Sequence, residues 1–186
     1  MDQRTWSAWE SRGMPPPAGR GALPDLCIRP IRPADLELER QFVNGLSPTT
    51  RYQRLLSGRN LLPGELERWT NIDPAREIAV IAVAEVDGRE RQLGVARCVR
   101  DPADPRVCDF AIVVGDRWQG LGLGEALLRE LMRLAAAAGI AVFSGITLSD
   151  NRAALQLARK LGFRRRMEPG DSTVTRLELL LPVRLA

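Results

Sequence analysis

The sequence predicts an α+β (mixed α/β) domain in which helices flank one mixed central sheet. Three observations lead there. Three apolar runs, at 77–86, 92–99 and 106–114, follow one another through short connections, which implies an antiparallel meander. The last of these runs passes through a glycine-rich turn into a periodic apolar helix and then into another apolar run at 141–148. A helix between two strands lets them pair in parallel, so the sheet is mixed. Finally, 186 residues with 45% hydrophobic and 27% charged content suffice for one domain with a substantial core.

Taken in order, residues 1–25 are polar and rich in Gly and Pro, including Pro15-Pro16-Pro17. They read as a flexible N-terminal tail, with the folded domain at 26–186. Trp6 and Trp9 are unusual there; docking on the domain, docking on a neighbouring subunit and a short helix all remain open. Leu26–Ile31 can form a first strand. Pro33 suits the first turn of a helix whose apolar face is Leu36, Leu38, Phe42, Val43 and Leu46. Ser47 can cap a second helix, with Pro48 at its first position and Tyr52, Leu55 and Leu56 along it. Pro63–Trp69 reads as a short third helix.

Glu77–Val86 is a strand, Asp87-Gly88 a turn, and Gln92–Val99 the next strand, with Gly94 inside it. Arg106–Val114 is the central strand. The following helix carries Leu123, Leu127, Leu131 and Leu134 on one face and ends at Gly139. After the strand Ala141–Leu148, Ser149 or Asp150 can cap a helix over Asn151–Leu161, which Gly162 ends. Phe163–Met167 and Val174–Leu181 close the chain as a strand pair.

Composition excludes several chemistries. There is no histidine, which removes Ser-His-Asp and Cys-His systems and argues against a metal site. Cys27, Cys98 and Cys108 are an odd, scattered set, as expected of reduced thiols in a cytoplasm. No run approaches the about 18 apolar residues of a membrane span, so no membrane partner is expected. The net charge of +4 is spread along the chain. Its one basic run, Arg164-Arg165-Arg166, reads as a solvated strand start rather than a nucleic-acid footprint. Lys160 is the only lysine, a bias attributed to a GC-rich genome.

The stretch Asp109–Gly124 carries the chemistry. Three glycines at a helix start cost about 1 kcal/mol each relative to Ala in a helix interior, so they ask for a reason. One reason is close approach of backbone to a ligand. The first amides of a helix lack internal partners and its dipole is positive there, which suits a phosphate. A Walker loop is absent because no Lys follows the glycines, and the dinucleotide fingerprint fails because Glu125 or Leu127 stands where its third Gly belongs. What remains is Gln-x-x-Gly-x-Gly, as Gln119, Gly122 and Gly124. A glycine-rich turn without a ligand is the plain alternative.

This pattern resembles the coenzyme A pyrophosphate loop of the GNAT-type N-acetyltransferase superfamily. The element order over residues 26–182 is similar to the GNAT fold. A second motif agrees, in Asn151, Ala154, Leu157, Lys160, Gly162 and Phe163. Within the superfamily, the chain looks most like the GNAT domain of bacterial protein lysine acetyltransferases. The matching words are Ile28–Asp35, Leu46-Ser47-Pro48 with Arg51-Tyr52, Gly94–Arg97 and Asp116–Gly120. The resemblance implies acetyl-CoA as cosubstrate and no metal. It assigns the pantetheine arm to Ile112, Val113 and Val114, and the pyrophosphate to Gln119, Gly120, Leu121, Gly122, Leu123 and Gly124. Asn151 would face the coenzyme, or be a plain helix cap.

Two departures stand out. Asp109 occupies the place where these relatives tend to have Glu, and Ala158 the place where many GNAT enzymes carry a Tyr as general acid. An amine with a reference pKa near about 10.4 must lose a proton before it attacks a thioester. Asp109 is the candidate base, working through a water because Asp is one methylene shorter than Glu. Its alternative is a strand acid paired with a nearby Arg, since an acid in an apolar strand is costly unless paired or functional. A backbone N–H near Val113 would hold the oxyanion. The leaving thiolate, with a reference pKa near about 8.5, needs little acid help. The expected acceptor is a protein lysine. A small amine or amino acid, and a catalytically weak acetyl-CoA-binding regulatory module, remain as alternatives, and the protein is expected to be a monomer or homodimer.

Overall fold

A computed structural model describes residues 26–55, 61–168 and 170–182. The tail expected at 1–25, and Leu56 of the second helix, lie outside these described residues. The elements run β1 (Cys27–Pro30), a 3-10 turn (Pro33–Asp35), α1 (Leu36–Asn44), α2 (Pro48–Leu55), α3 (Glu65–Thr70), β2 (Glu77–Val86), β3 (Arg89–Arg100) and β4 (Val107–Val114). A second 3-10 turn (Asp116–Trp118) precedes α4 (Leu123–Ala137), β5 (Val142–Leu148), α5 (Arg152–Lys160), β6 (Arg164–Glu168) and β7 (Asp171–Leu180).

The seven strands form one sheet in the order β1-β2-β3-β4-β5-β7-β6. β2, β3 and β4 are the antiparallel meander, and β4 and β5 are parallel. The last two strands form an antiparallel pair, but β7 rather than β6 lies beside β5. β2 is apolar on both faces because both are covered. Ile78, Val80, Ala82 and Ala84 meet α4, with Leu127 and Leu131 fully buried against them; Ala79, Ile81 and Val83 meet Phe42 and Val43 of α1. Gly94 lets α4 pack close to β3, since a Cβ there would lie 2.9 Å from Leu127 Cδ1 and 3.1 Å from the Val113 carbonyl oxygen.

Three local expectations shift. The third helix starts at Glu65, because Gly64 at its N-cap has φ 76° and leaves Pro63 outside. β3 extends beyond the apolar run at both ends, to Arg89 and Arg100, because the tight turn at Asp87-Gly88 starts its pairing with β2 at once. The cap of α5 is neither Ser149 nor Asp150 but Asn151, whose side chain accepts a hydrogen bond from the Ala154 amide at 3.1 Å. Ser47 does cap α2, accepting from the Thr50 amide at 3.2 Å.

Candidate active site

The sheet opens in its middle. β4 and β5 are in register only at Val107–Val142, Cys108–Phe143 and Asp109–Ser144; beyond these the strands part. At the fork, Phe110 stacks on Phe143 at 4.6 Å and tilts against Phe163 at 5.2 Å. Gly145 makes room for this, since a Cβ there would sit 2.7 Å from the Phe110 ring. From the fork a cavity of about 480 Å³ runs along Ile112–Val114, past the start of α4, and under α5.

The free strand edge has a definite polarity. The Gly115 amide donates to the Leu93 carbonyl at 2.9 Å, so Leu93 and Gly115 face each other through their backbones. Antiparallel pairs alternate, and Val113 opposite Val95 therefore also turns its N–H and C=O to β3. The expected donor near Val113 is thus spent within the sheet, a correction that follows from strand alternation. Ile112 and Val114 turn theirs to the open side. The Val114 carbonyl is already used, accepting from the Gln119 side-chain amide at 3.0 Å.

The loop beyond is built as the glycines require. Gly120 and Gly122 have φ of 76° and 84°, in the left-handed region that side chains disfavour. Gly122 is the N-cap of α4 and no side chain caps that helix end. Among the described residues nothing accepts from the Leu123, Gly124 and Glu125 amides, and such an end suits an anion. Gly124 faces α5: a Cβ would be 3.2 Å from Leu157 Cδ2. Of the sequence-selected residues, Ile112, Val113, Val114, Gln119, Gly120, Gly122, Gly124 and Asn151 line the cavity. Leu121 is exposed outside the lining and Leu123 is buried in the core beneath it.

Asp109 lies on the other face of β4 from Phe110 and is exposed, outside the cavity lining. The alternation of the strand thus removes the desolvation cost expected of an acid in an apolar run. Among the described residues, no hydrogen bond or ion pair reaches its carboxylate. Its charge is felt by Arg176, whose pKa is raised chiefly by the hydrogen bond from its guanidinium to Glu168, with attraction to Glu168, Asp109 and Glu178 added. Ala158 is buried in the cavity wall, so no hydroxyl stands at that position, and Tyr52 is exposed outside the lining. Among the described residues, the hydroxyls lining the cavity are those of Thr50 and Thr147.

One group escaped sequence reasoning. Asp116 accepts from the Ser47 amide at 2.9 Å, the Ser47 hydroxyl at 2.7 Å and the Thr50 hydroxyl at 2.7 Å. Burial is the largest single influence on its pKa and pushes it up, but these donors together outweigh it and hold the carboxyl below its usual range. Asp116 thereby ties the start of α2 to the loop that leads into α4. Its partners lie 66 and 69 residues away, and only the Ser47-Pro48 cap signal hinted at one of them.

The acetyltransferase (GNAT) family model matches residues 44–163. The chain belongs to that family. It is an acyltransferase, an acetyl-CoA-dependent N-acetyltransferase. Acetyltransferase PA5475 of Pseudomonas aeruginosa is 36% identical over 147 residues, covering 78% of each chain. Acetyltransferase Pat of Mycolicibacterium smegmatis is 29% identical over 135 residues, which are 73% of this chain but 40% of that relative. The GNAT domain of S. lividans PAT superposes with a TM-score of 0.72 at 24% identity, over 84% of this chain and 90% of that one, a likeness of fold. Among the described residues no cluster of His, Cys, Asp or Glu could hold a metal ion, and no helix is long and apolar enough to cross a membrane.

Proposed function

We propose that the protein transfers an acetyl group from acetyl-CoA to the side-chain amine of a protein lysine, with Asp109 as the general base. Acetyl-CoA supplies the activated acyl group as a thioester. The residues present fit it: the free start of α4 suits the diphosphate, and the open edge at Ile112 and Val114 suits the amide-bearing pantetheine arm. The Ile112 and Val114 amides are the donors available to the acyl oxygen. Gln119 acts by holding the loop against the Val114 carbonyl, and Asn151 by capping α5 over the cavity.

The observation that carries the acceptor reading is the position of Asp109. Its carboxylate, without a partner among the described residues, stands at the fork of β4 and β5, on the sheet face opposite Phe110 and outside the cavity lining. An amine arriving from that face meets the carboxylate before it meets the fork. Asp109 takes the ammonium proton directly or through one water. The face is open beside Asp109: Val99, its neighbour on β3, is 44% exposed. An open face with an exposed apolar side chain suits the aliphatic stem of a lysine on a large acceptor better than a closed small-molecule pocket would. The word-level resemblance to bacterial protein lysine acetyltransferases supports the same choice. Cys27, Cys98 and Cys108 are free thiols, in keeping with a cytoplasmic setting.

The test compares thiol release from acetyl-CoA with lysine-bearing proteins and peptides against a panel of small amines and amino acids. Transfer to the protein lysines at the higher kcat/KM is expected. Efficient turnover restricted to a small amine overturns the acceptor assignment.

A further inference from the structure

One carboxylate sits where the proposed ligand should forbid it. Glu125 is in the first turn of α4 and lines the cavity at the end we assign to the diphosphate. An acid near a helix N-terminus is favourable when that end is free. It becomes unfavourable when the same amides must receive an anion, because like charges then meet at a few ångströms.

Two cations hold Glu125. Lys160 Nζ, from the last turn of α5, lies 2.5 Å from its Oε2. Arg129, one turn further along α4, places Nη2 2.9 Å and Nε 3.0 Å from its Oε1. Their hydrogen bonds, Lys160 first, keep the Glu125 carboxyl below its ordinary range. The two cations differ in placement. Arg129 extends the pair along α4 and does not line the cavity, whereas Lys160 reaches across from the opposite wall and does. Lys160 is also the only lysine among 27 basic residues, and its side chain is 64% exposed.

We propose that Lys160 is a positioning residue for coenzyme binding that acts through Glu125: it bridges α5 to α4 across the cavity and neutralises a cavity-lining carboxylate that would repel the diphosphate. The inference rests on the reading of this cavity as the acetyl-CoA site. Without Lys160, Glu125 keeps only Arg129, and its second oxygen is free to face the anion. The bridge also fixes the spacing between the helix that presents the amides and the helix that covers them.

Calorimetric titration with acetyl-CoA tests this in K160Q, K160R, E125Q and the double variant K160Q/E125Q. K160Q should bind about tenfold more weakly at low salt, the size of one unbalanced charge in a partly solvated site. That loss should shrink at high ionic strength. K160R should stay near wild type. E125Q should bind somewhat more tightly, and the double variant should recover to within about threefold of wild type. Melting temperatures should barely differ, because solvent-exposed ion pairs contribute little to stability. If K160Q/E125Q binds as weakly as K160Q, Lys160 acts by touching the ligand directly and the bridge is irrelevant. Wild-type affinity in K160Q overturns the proposal as well. Gly122→Asp is the control on the site itself. Unchanged affinity in that variant removes the cavity reading, whereas lost affinity there with a normal K160Q removes only the role of Lys160.

Discussion

Asp109 is short, exposed and, among the described residues, without a hydrogen-bond or ion-pair partner, and each property bears on its proposed role as a base. Its exposure leaves the carboxylate within reach of an incoming amine. Its shortness favours a water between it and the amine. Asp109→Asn keeps the shape and removes the acceptor, so kcat should fall by roughly 10²–10⁴-fold with acetyl-CoA affinity nearly unchanged. Raising the pH should restore part of the rate, because more of the amine is then already neutral. Asp109→Glu should remain active. Equal rates in wild type and Asp109→Asn, measured by thiol release with a working acceptor, would assign the base to another group or to bulk water. The acid itself was legible in the sequence, but its exposure was not. An apolar run hides which of its two faces is covered, and here Phe110, Ile112 and Val114 pack under α4 and α5 while Asp109 and Ala111 look outward.

At the scale of the element, the loop into α4 shows what a sequence can and cannot carry. Gly120, Gly122 and Gly124 announced a backbone that turns tightly and approaches something closely, and two of them do adopt left-handed φ. Gly122→Asp adds both a side chain in that conformation and a negative charge at the amides. It should abolish acetyl-CoA binding in calorimetry while the protein stays folded. The tether of the same loop was not legible, because Asp116 meets Ser47 and Thr50 across 69 and 66 residues of chain. Its pKa is lowered in the folded state, so it contributes stability above the unfolded carboxylate pKa of about 3.9 and loses it as the pH falls through the lower folded value. Asp116→Asn should therefore melt below wild type at neutral pH, and the gap should narrow toward pH 3. A gap that widened on acidification would mean that the carboxylate destabilises the loop.

Across the whole molecule, one design decision is to pair β4 and β5 for three residues and then let them diverge. The strands, their order of appearance and the parallel crossover could be read from runs, turns and a helix between two strands. The divergence could not, because it involves side chains brought together from β4, β5 and the connection between α5 and β6. Phe110, Phe143 and Phe163 wedge the fork, and Gly145 lets the Phe110 ring lie against the β5 backbone. A sheet left open in this way has amides at Ile112 and Val114 that no strand protects, whereas β2 and β3 pair along nearly their whole length, interrupted only by a bulge between Ala82 and Val83. Hydrogen exchange followed by mass spectrometry or NMR should therefore report binding at specific places. Acetyl-CoA should slow exchange at Ile112 and Val114 and in the first turn of α4, and leave the amides between β2 and β3 unchanged. Binding should also raise the unfolding free energy, by about 2.7 kcal/mol at a ligand concentration of 100 times Kd. Protection confined to the Asp109 face, with none at the fork or the start of α4, would place the coenzyme on the wrong side of the sheet and overturn the assignment of the cavity.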